Sequence, residues 1–364
     1  MTIRTPEPAS GTAVDTTTQA GPQPVHATDQ HPGQIAGRAM AVVQSPSLRL
    51  ALRRLATAIP VLWGVTALTF VVLNVLPGNA AQQLLGAEAT PEQVRQLTVE
   101  LGLDRPLVTR YWDWLSGVLT GDLGRSLASG QPVTEIFAER LPVTLELAVY
   151  ALGISLILTM PVALLATRRP GGLVDRVSMA VSMAGLSIAN YVLALLLVIV
   201  FAVYIPLFPA IGYVPLEENI LENIWSLTLP AVAIGFPLFC FYTRLLRGDI
   251  LDQMQEDYVV TARAKGISPF HVLTRHALRN SLFGLLTIVG LNLGNLLGGT
   301  VISEQIFALP GIGQELIQAI NNRDVIVVQA IVLFMATATV LVNLLTDILY
   351  AILDPRIRYG QRIA

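Results

Sequence analysis

The chain has few charged residues, a single cysteine, a single lysine and only four histidines among its 364 residues. Each scarcity excludes something. One cysteine, Cys240, rules out a disulfide framework and a cysteine-based metal site. The histidines are His26, His31, His271 and His276, all outside the long apolar runs, so a histidine-lined metal or proton path across a membrane is not expected. The one lysine, Lys265, is followed by Gly266. A phosphate-binding G-x-x-x-x-G-K-[ST] loop is therefore absent, and ATP cannot be bound by that route. A net charge of −2 supplies no basic field for nucleic acid. No Ser/His/Asp, Cys/His or metal-ligand constellation occurs, and Glu217–Glu218 reads as a solvated loop pair, so no enzyme chemistry is expected in this chain. A secretory leader is not expected either, because no basic n-region with an apolar h-region stands near Met1.

What is abundant is apolar surface. Hydrophobic residues make up 53% of the chain and charged ones 13%, against roughly 25% charged in soluble domains. A bilayer core of about 30 Å needs roughly 20 apolar residues as helix. Six segments qualify: Leu55–Leu76, Leu141–Ala166, Val177–Val203, Leu227–Leu246, Leu282–Ile302 and Ile326–Leu349. The expected fold is an all-α membrane protein with six transmembrane helices. Glu146, Arg244 and Asp347 fall within these segments but close to an edge, where they can snorkel or pair.

Arginine placement sets the expected orientation. Arg49, Arg53 and Arg54 precede the first span, and Arg168, Arg169 and Arg176 separate the second from the third. Arg247, Arg263, Lys265, Arg275 and Arg279 lie between the fourth and fifth, and Arg356, Arg358 and Arg362 follow the sixth. The other side carries Glu217, Glu218 and Glu222 in one loop and Glu304, Glu315 and Asp324 in another. Both termini are thus expected in the cytoplasm.

Residues 1–47, rich in Thr, Pro, Gln, Ala and Gly, cannot bury enough apolar surface to offset ordering and are expected to be a disordered cytoplasmic tail. Residues 48–140 hold the first span and a helical extracytoplasmic insertion. Residues 141–354 hold the other five spans, and 355–364 form a cytoplasmic C-terminal tail. In the insertion, Thr90 can N-cap a helix with Pro91 first and Gln93 third, ending at Leu101 with Gly102 as a left-handed cap. A second helix, Pro106–Leu119, carries Tyr111, Trp112 and Trp114. Two uses fit this pair: resting at the membrane surface with aromatics among lipid headgroups, or docking an external, substrate-delivering protein.

The stretch Asp257–Asn280 is more elaborate than a connector between spans requires. Gly266 sits where a helix cap belongs, and Ser268–Pro269 reads as N-cap and first position of the next helix. A short helix over about 256–266 is expected, with Tyr258, Val259 and Ala262 forming an apolar ridge to insert into a groove or among lipid. In the fifth span, Gly290, Gly294 and Gly298 repeat every four residues, a stripe that lets another helix approach closely. Asn292 and Asn295 lie off that stripe, either hydrogen-bonding between helices or lining a polar path; Asn190 and Tyr191 of the third span are similar candidates.

The sequence TARAKG around Gly266 resembles the EAA-loop of ABC-importer permeases, in its peptide-permease variant. GLDRP at Gly102–Pro106, GDLGRS at Gly121–Ser126, LPVTLELA at Leu141–Ala148, LPGIG at Leu309–Gly313 and LLTDILYAILDPRIR at Leu344–Arg358 extend the resemblance to B-type permeases of dipeptide and oligopeptide importers. It covers about Leu48 to Arg358. Departures are Val260, Thr261 and Ala262 in place of Glu-Ala-Ala, Gly284 where a proline is usual, and Asn79 where aspartate is common. The resemblance implies the type I importer permease fold and a pathway-forming subunit in the bacterial cytoplasmic membrane. Its implied partners are a second, homologous permease subunit, two ABC ATPase domains that bind ATP and Mg, an extracytoplasmic solute-binding protein and membrane lipid. No cofactor is implied for this chain itself. Asp257, Tyr258, Ala262, Arg263, Gly266 and His271 are the implied ATPase-coupling residues. Another small solute, such as a nickel chelate or glutathione, fits the same motifs. A stand-alone secondary transporter would show internal repeats and midplane charges, and neither is evident.

Overall fold

The computed structural model describes residues 46–75, 80–86 and 88–353. The expected tails lie outside these residues, apart from 46 and 47, as does Asn79. Helices in chain order are α1 (Pro46–Val75), α2 (Ala80–Leu85), α3 (Pro91–Glu100), α4 (Leu107–Leu119) and α5 (Val133–Arg168). They continue as α6 (Leu173–Ser187), α7 (Asn190–Val198, extended by π-helical turns to Tyr204), α8 (Ile220–Gln253) and α9 (Asp257–Ala264). A turn at Pro269–His271 and a π-helical segment Val272–Ala277 lead into α10 (Leu278–Ile306), followed by α11 (Ile312–Asn321) and α12 (Val325–Leu353). Among the described residues the only extended pairing is one bridge, Arg125 to Pro132.

Among the described residues five helices are long and apolar enough to cross a membrane, and α6 with α7 makes a sixth candidate. That pair corrects the expectation of one continuous third span. The chain breaks at Ile188–Ala189, both extended, and the two helix axes diverge by 103°. The halves have separate seats. α6 buries Ser178, Ser182 and Gly185, and a Cβ at Gly185 would collide with Cys240 and Phe236 of α8. α7 instead buries Ala194 in the cluster of Leu147, Leu227, Leu229 and Phe307.

α8 is the axis of the bundle, packing on α5, α6, α7 and α10. A Cβ at Gly235 would stand 2.7 Å from the Ala151 carbonyl oxygen, so glycine sets the close approach of α5 and α8. Half of its apolar window is buried within the chain, against 17% for α1. α1 is peripheral. It is held by α4, where the Tyr111 ring packs on Phe70 and its hydroxyl lies 2.9 Å from Thr66 Oγ1. Arg110 also reaches the Asn74 carboxamide at 3.1 Å. The aromatic face of α4 is therefore turned mainly toward protein: Tyr111 and Trp114 join the cluster with Phe70 and Val325, while Trp112 stays exposed. The capping box of α3 is present as expected, with Thr90 and Gln93 bonded reciprocally and Gly102 at φ +64°.

Two of the three edge charges, Asp347 and Glu146, find partners. Arg54 pairs with Asp347 at 3.0 Å. Glu146 accepts from the Tyr213 hydroxyl at 2.9 Å and the Asn223 amide at 3.1 Å. Burial, and next the Glu146 carboxylate, push the Tyr213 phenol above its ordinary pKa, so it remains a donor at physiological pH. Arg244 is exposed.

Glu304 and Asp324 depart from their expected role as loop charges. Glu304 is fully buried at the end of α10. It accepts from Thr144 Oγ1 (2.8 Å), Gly313 N (2.7 Å) and Gln314 N (3.1 Å), so a carboxylate distant in sequence caps the N-terminus of α11. Thr144 Oγ1 in turn accepts from Ile312 N at 2.9 Å. The glycines of LPGIG follow from this: a Cβ at Gly311 would strike the Glu304 carboxylate, and one at Gly313 would lie 2.5 Å from Val301 Cα. Asp324 is also buried and takes Ser126 Oγ at 2.6 Å, Ala128 N at 3.2 Å and Val327 N at 3.3 Å. It caps α12 and ties the turn before α5 to it.

Candidate functional site

The connector between α8 and α10 forms the helix that its punctuation predicts. α9 opens at Glu256, carries Asp257 in its first turn and Arg263 in its last, the order that suits the helix dipole. Gly266 has φ +78°. Its N–H bonds Arg263 O at 2.9 Å while Ile267 N bonds Ala262 O at 3.3 Å, a Schellman cap with the expected Ile267–Ala262 apolar contact. Ser268 and Pro269 then begin the next helix in the expected register, although the Ser268 side chain makes no capping bond.

The faces of α9 differ from the expectation. The Tyr258–Val259–Ala262 ridge does not point outward. Val259 and Ala262 are buried against Val272, with Met254, Tyr258 and Ile267 around them. Tyr258 also donates to Gln253 Oε1 at 2.6 Å. The ridge's partner is the chain itself, namely the π-helical segment that follows. The exposed side carries Asp257, Val260, Thr261, Arg263 and Lys265, with Gly266 and His271 exposed beyond it. Val260 and, in the next turn, Phe270 are each 57% exposed. Sequence reasoning passed over both. At one residue per 100°, positions 257, 260, 261 and 264 form one face, a signal that was present once 259 and 262 were assigned inward.

The helix that leads into α9 is anchored by charge. Arg247 of α8 makes a two-pronged contact with the buried Asp175 of α6: Nε to Oδ1, and Nη2 to Oδ2 at 2.8 Å. Gly171 N donates to the same carboxylate at 2.7 Å. The Arg168 guanidinium sits 5.3 Å above the Phe270 ring. The C-terminal end of α5 thus touches the segment that feeds α10. Gly284 does not kink this segment. A Cβ there would stand 2.7 Å from Asp249 Oδ2, so the glycine makes room for α8, and the departure from α-helix lies earlier, at Val272–Ala277.

The fifth-span stripe divides. Gly290 faces Thr346 and Gly294 faces Thr339, with room for no Cβ at either, so α10 and α12 approach closely there. Gly298 has open space beside it. Asn292 is directed toward the Tyr242 hydroxyl, which is buried without a well-formed hydrogen bond. Asn295 and Tyr191 are exposed. Asn190 and Gly299 share a small cavity with Ala194, Ala233, Ile234, Ile302 and Ser303. The structure therefore joins the start of α7 to the second half of α10 and leaves Asn292 apart.

Among the described residues no group of His, Cys, Asp and Glu is placed to hold a metal ion. What the described residues present is a multi-span helical component with a shaped connector. The comparisons agree with that class. The family model of the binding-protein-dependent transport system inner membrane component matches residues 159–359, and the model of its N-terminal part matches 47–148. The chain belongs to this family and is a multi-pass membrane permease component. It is 43% identical over 310 residues to a Brucella abortus (strain 2308) protein named for a peptide transport system permease, covering 85% of this chain and 99% of that one. It is 36% identical over 338 residues to the dipeptide transport system permease protein DppB of Escherichia coli (strain K12), covering 86% and 100%. Identity to the DppB of Alkalihalophilus pseudofirmus is likewise 36%, over 332 residues.

Proposed function

We propose that this chain is a pathway-forming permease subunit of an ATP-driven importer for di- and oligopeptides. The observation that carries the coupling part is the geometry of α9. One face is locked onto the chain by Val259 and Ala262, and the other is exposed at the end of a connector in a chain without a nucleotide loop. The energy enters through a partner ATPase that seats against Asp257, Val260, Thr261 and Arg263. Gly266 and His271 border that contact. Ala262, expected in the contact, acts by holding the helix to Val272. Movement of α9 passes through Val272–Ala277 into α10 and alternates access to the pathway.

The peptide cargo is taken from the names of the relatives and from the span-wide motif match. Two permease chains, this one and a homologous one, enclose the path, with α10 and the start of α7 lining it. The α9 end and both termini face the cytoplasm, and the α2–α4 insertion faces the solute-binding protein outside. The test is reconstitution. The chain purified in mild detergent is expected to bring an ATPase with it, and the complex is expected to take up tripeptides only with ATP. Transport by this chain alone under an ion gradient would overturn the reading.

A further inference from the structure

A polar cleft opens between the turn 126–131, the first turns of α5 and the outer side of α11. It encloses about 210 Å³. It is a built feature. Asp324, 2% exposed, joins its walls through Ser126 Oγ, Ala128 N and Val327 N. α11, one wall, is bracketed by two non-glycine residues in the left-handed region, Ala308 (φ 51°) and Arg323 (φ 56°). Such conformations persist where surrounding structure imposes them.

Its chemistry carries both signs. Arg140 Nε and Glu315 Oε2 stand 3.6 Å apart, an ion pair too long for a hydrogen bond, with side chains 29% and 17% exposed. Glu139, Gln318 and Asn322 add an acid and two amides at the exposed rim. The only apolar lining with a side chain larger than a methyl is Ile136. A ligand that matches has a negative end, a positive end and amides between, and needs no pocket for its side chains.

We infer that the cleft is an outer subsite for short zwitterionic peptides. The peptide carboxylate takes the Arg140 guanidinium, its ammonium takes Glu315 with Glu139, and its amides meet Gln318 and Asn322. This rests on the peptide-importer reading. The test uses the assembled permease–ATPase complex in nanodiscs, without the solute-binding protein, and trialanine as the probe. Trialanine is expected to bind, and N-acetyl-trialanine amide to bind at least about tenfold more weakly. Arg140→Met is expected to weaken trialanine binding about tenfold or more, as loss of a charge-assisted contact does. Gln318→Ala, at the exposed rim, is expected to cost about threefold with an unchanged melting temperature, which covers the case that Arg140→Met fails to fold. Trialanine affinity equal in wild type and both variants, with ATP-driven trialanine uptake intact, overturns the subsite alone. No trialanine uptake by the wild-type complex with its binding protein overturns the importer reading instead. Loss of binding-protein capture at unchanged trialanine affinity makes the cleft a protein dock and also overturns the inference.

Discussion

The two ends of α10, about 43 Å apart at 1.5 Å per residue, are built differently. At the α11 end, structure is pinned by buried carboxylates. Glu304 holds two backbone N–H groups of α11 and Thr144 of α5, and Asp324 holds the turn before α5 to the start of α12. At the α9 end, the helix itself is attached by a small apolar cluster of Val259, Ala262 and Val272, and the charged anchor, Arg247–Asp175, joins the preceding helix α8 to α6. A pinned end keeps its shape and resists displacement. An end fixed along one apolar face can transmit a push while leaving its other face for a partner.

That contrast can be broken by substitution. The largest effect is expected for Glu304→Ala. It strands the buried Gly313 N–H, the half-buried Gln314 N–H and the Thr144 hydroxyl and should cost about 4 kcal/mol, read as a large fall in melting temperature of the purified complex; Glu304→Gln should recover part of it. An unchanged melting temperature would mean that α11 is not held by this carboxylate. Gly313→Ala forces a Cβ toward Val301 Cα and should cost about 2–3 kcal/mol by the same assay. Asp175→Asn at the other end should cost about 2 kcal/mol. This is less than for a fully buried pair, because Arg247 is 23% exposed and can recover water. Arg54→Ala removes the exposed pair to Asp347 and should cost less than about 1 kcal/mol. If Arg54→Ala equalled Glu304→Ala, the distinction between pinned and peripheral contacts would fail.

Much of this fold was legible in the sequence because its signals are local. Span positions follow from apolar runs, the α3 boundaries from Thr90, Gln93 and Gly102, and the α9 boundary from Gly266. What escaped depended on partners far along the chain. Glu304 reads as a loop acid until Thr144, 160 residues earlier, is placed beside it. The two glycines of LPGIG were the available hint, since small residues at a helix start leave room for an anion. Asp324, directly before α12, stood in an N-cap position that could have been read. The break at Ile188–Ala189 carries neither proline nor glycine and comes from two competing packing sites, which no local pattern reports. In the candidate site, periodicity identified a ridge on α9 but not which way it faces, because Val272 satisfies an apolar stripe as well as a partner protein would.

The direction of α9 is the point on which the coupling proposal turns, and the chain is well suited to test it. Its one native thiol, Cys240, is 0% exposed and leaves a silent background. Thr261 is exposed and its neighbour Ala262 is buried, so Thr261→Cys and Ala262→Cys differ by one position and in burial. In the assembled complex, a short thiol-to-amine cross-linker is predicted to join the ATPase to Thr261→Cys and not to Ala262→Cys. Cross-linking at Ala262→Cys alone, or at neither position while the ATPase still co-purifies, would contradict the account.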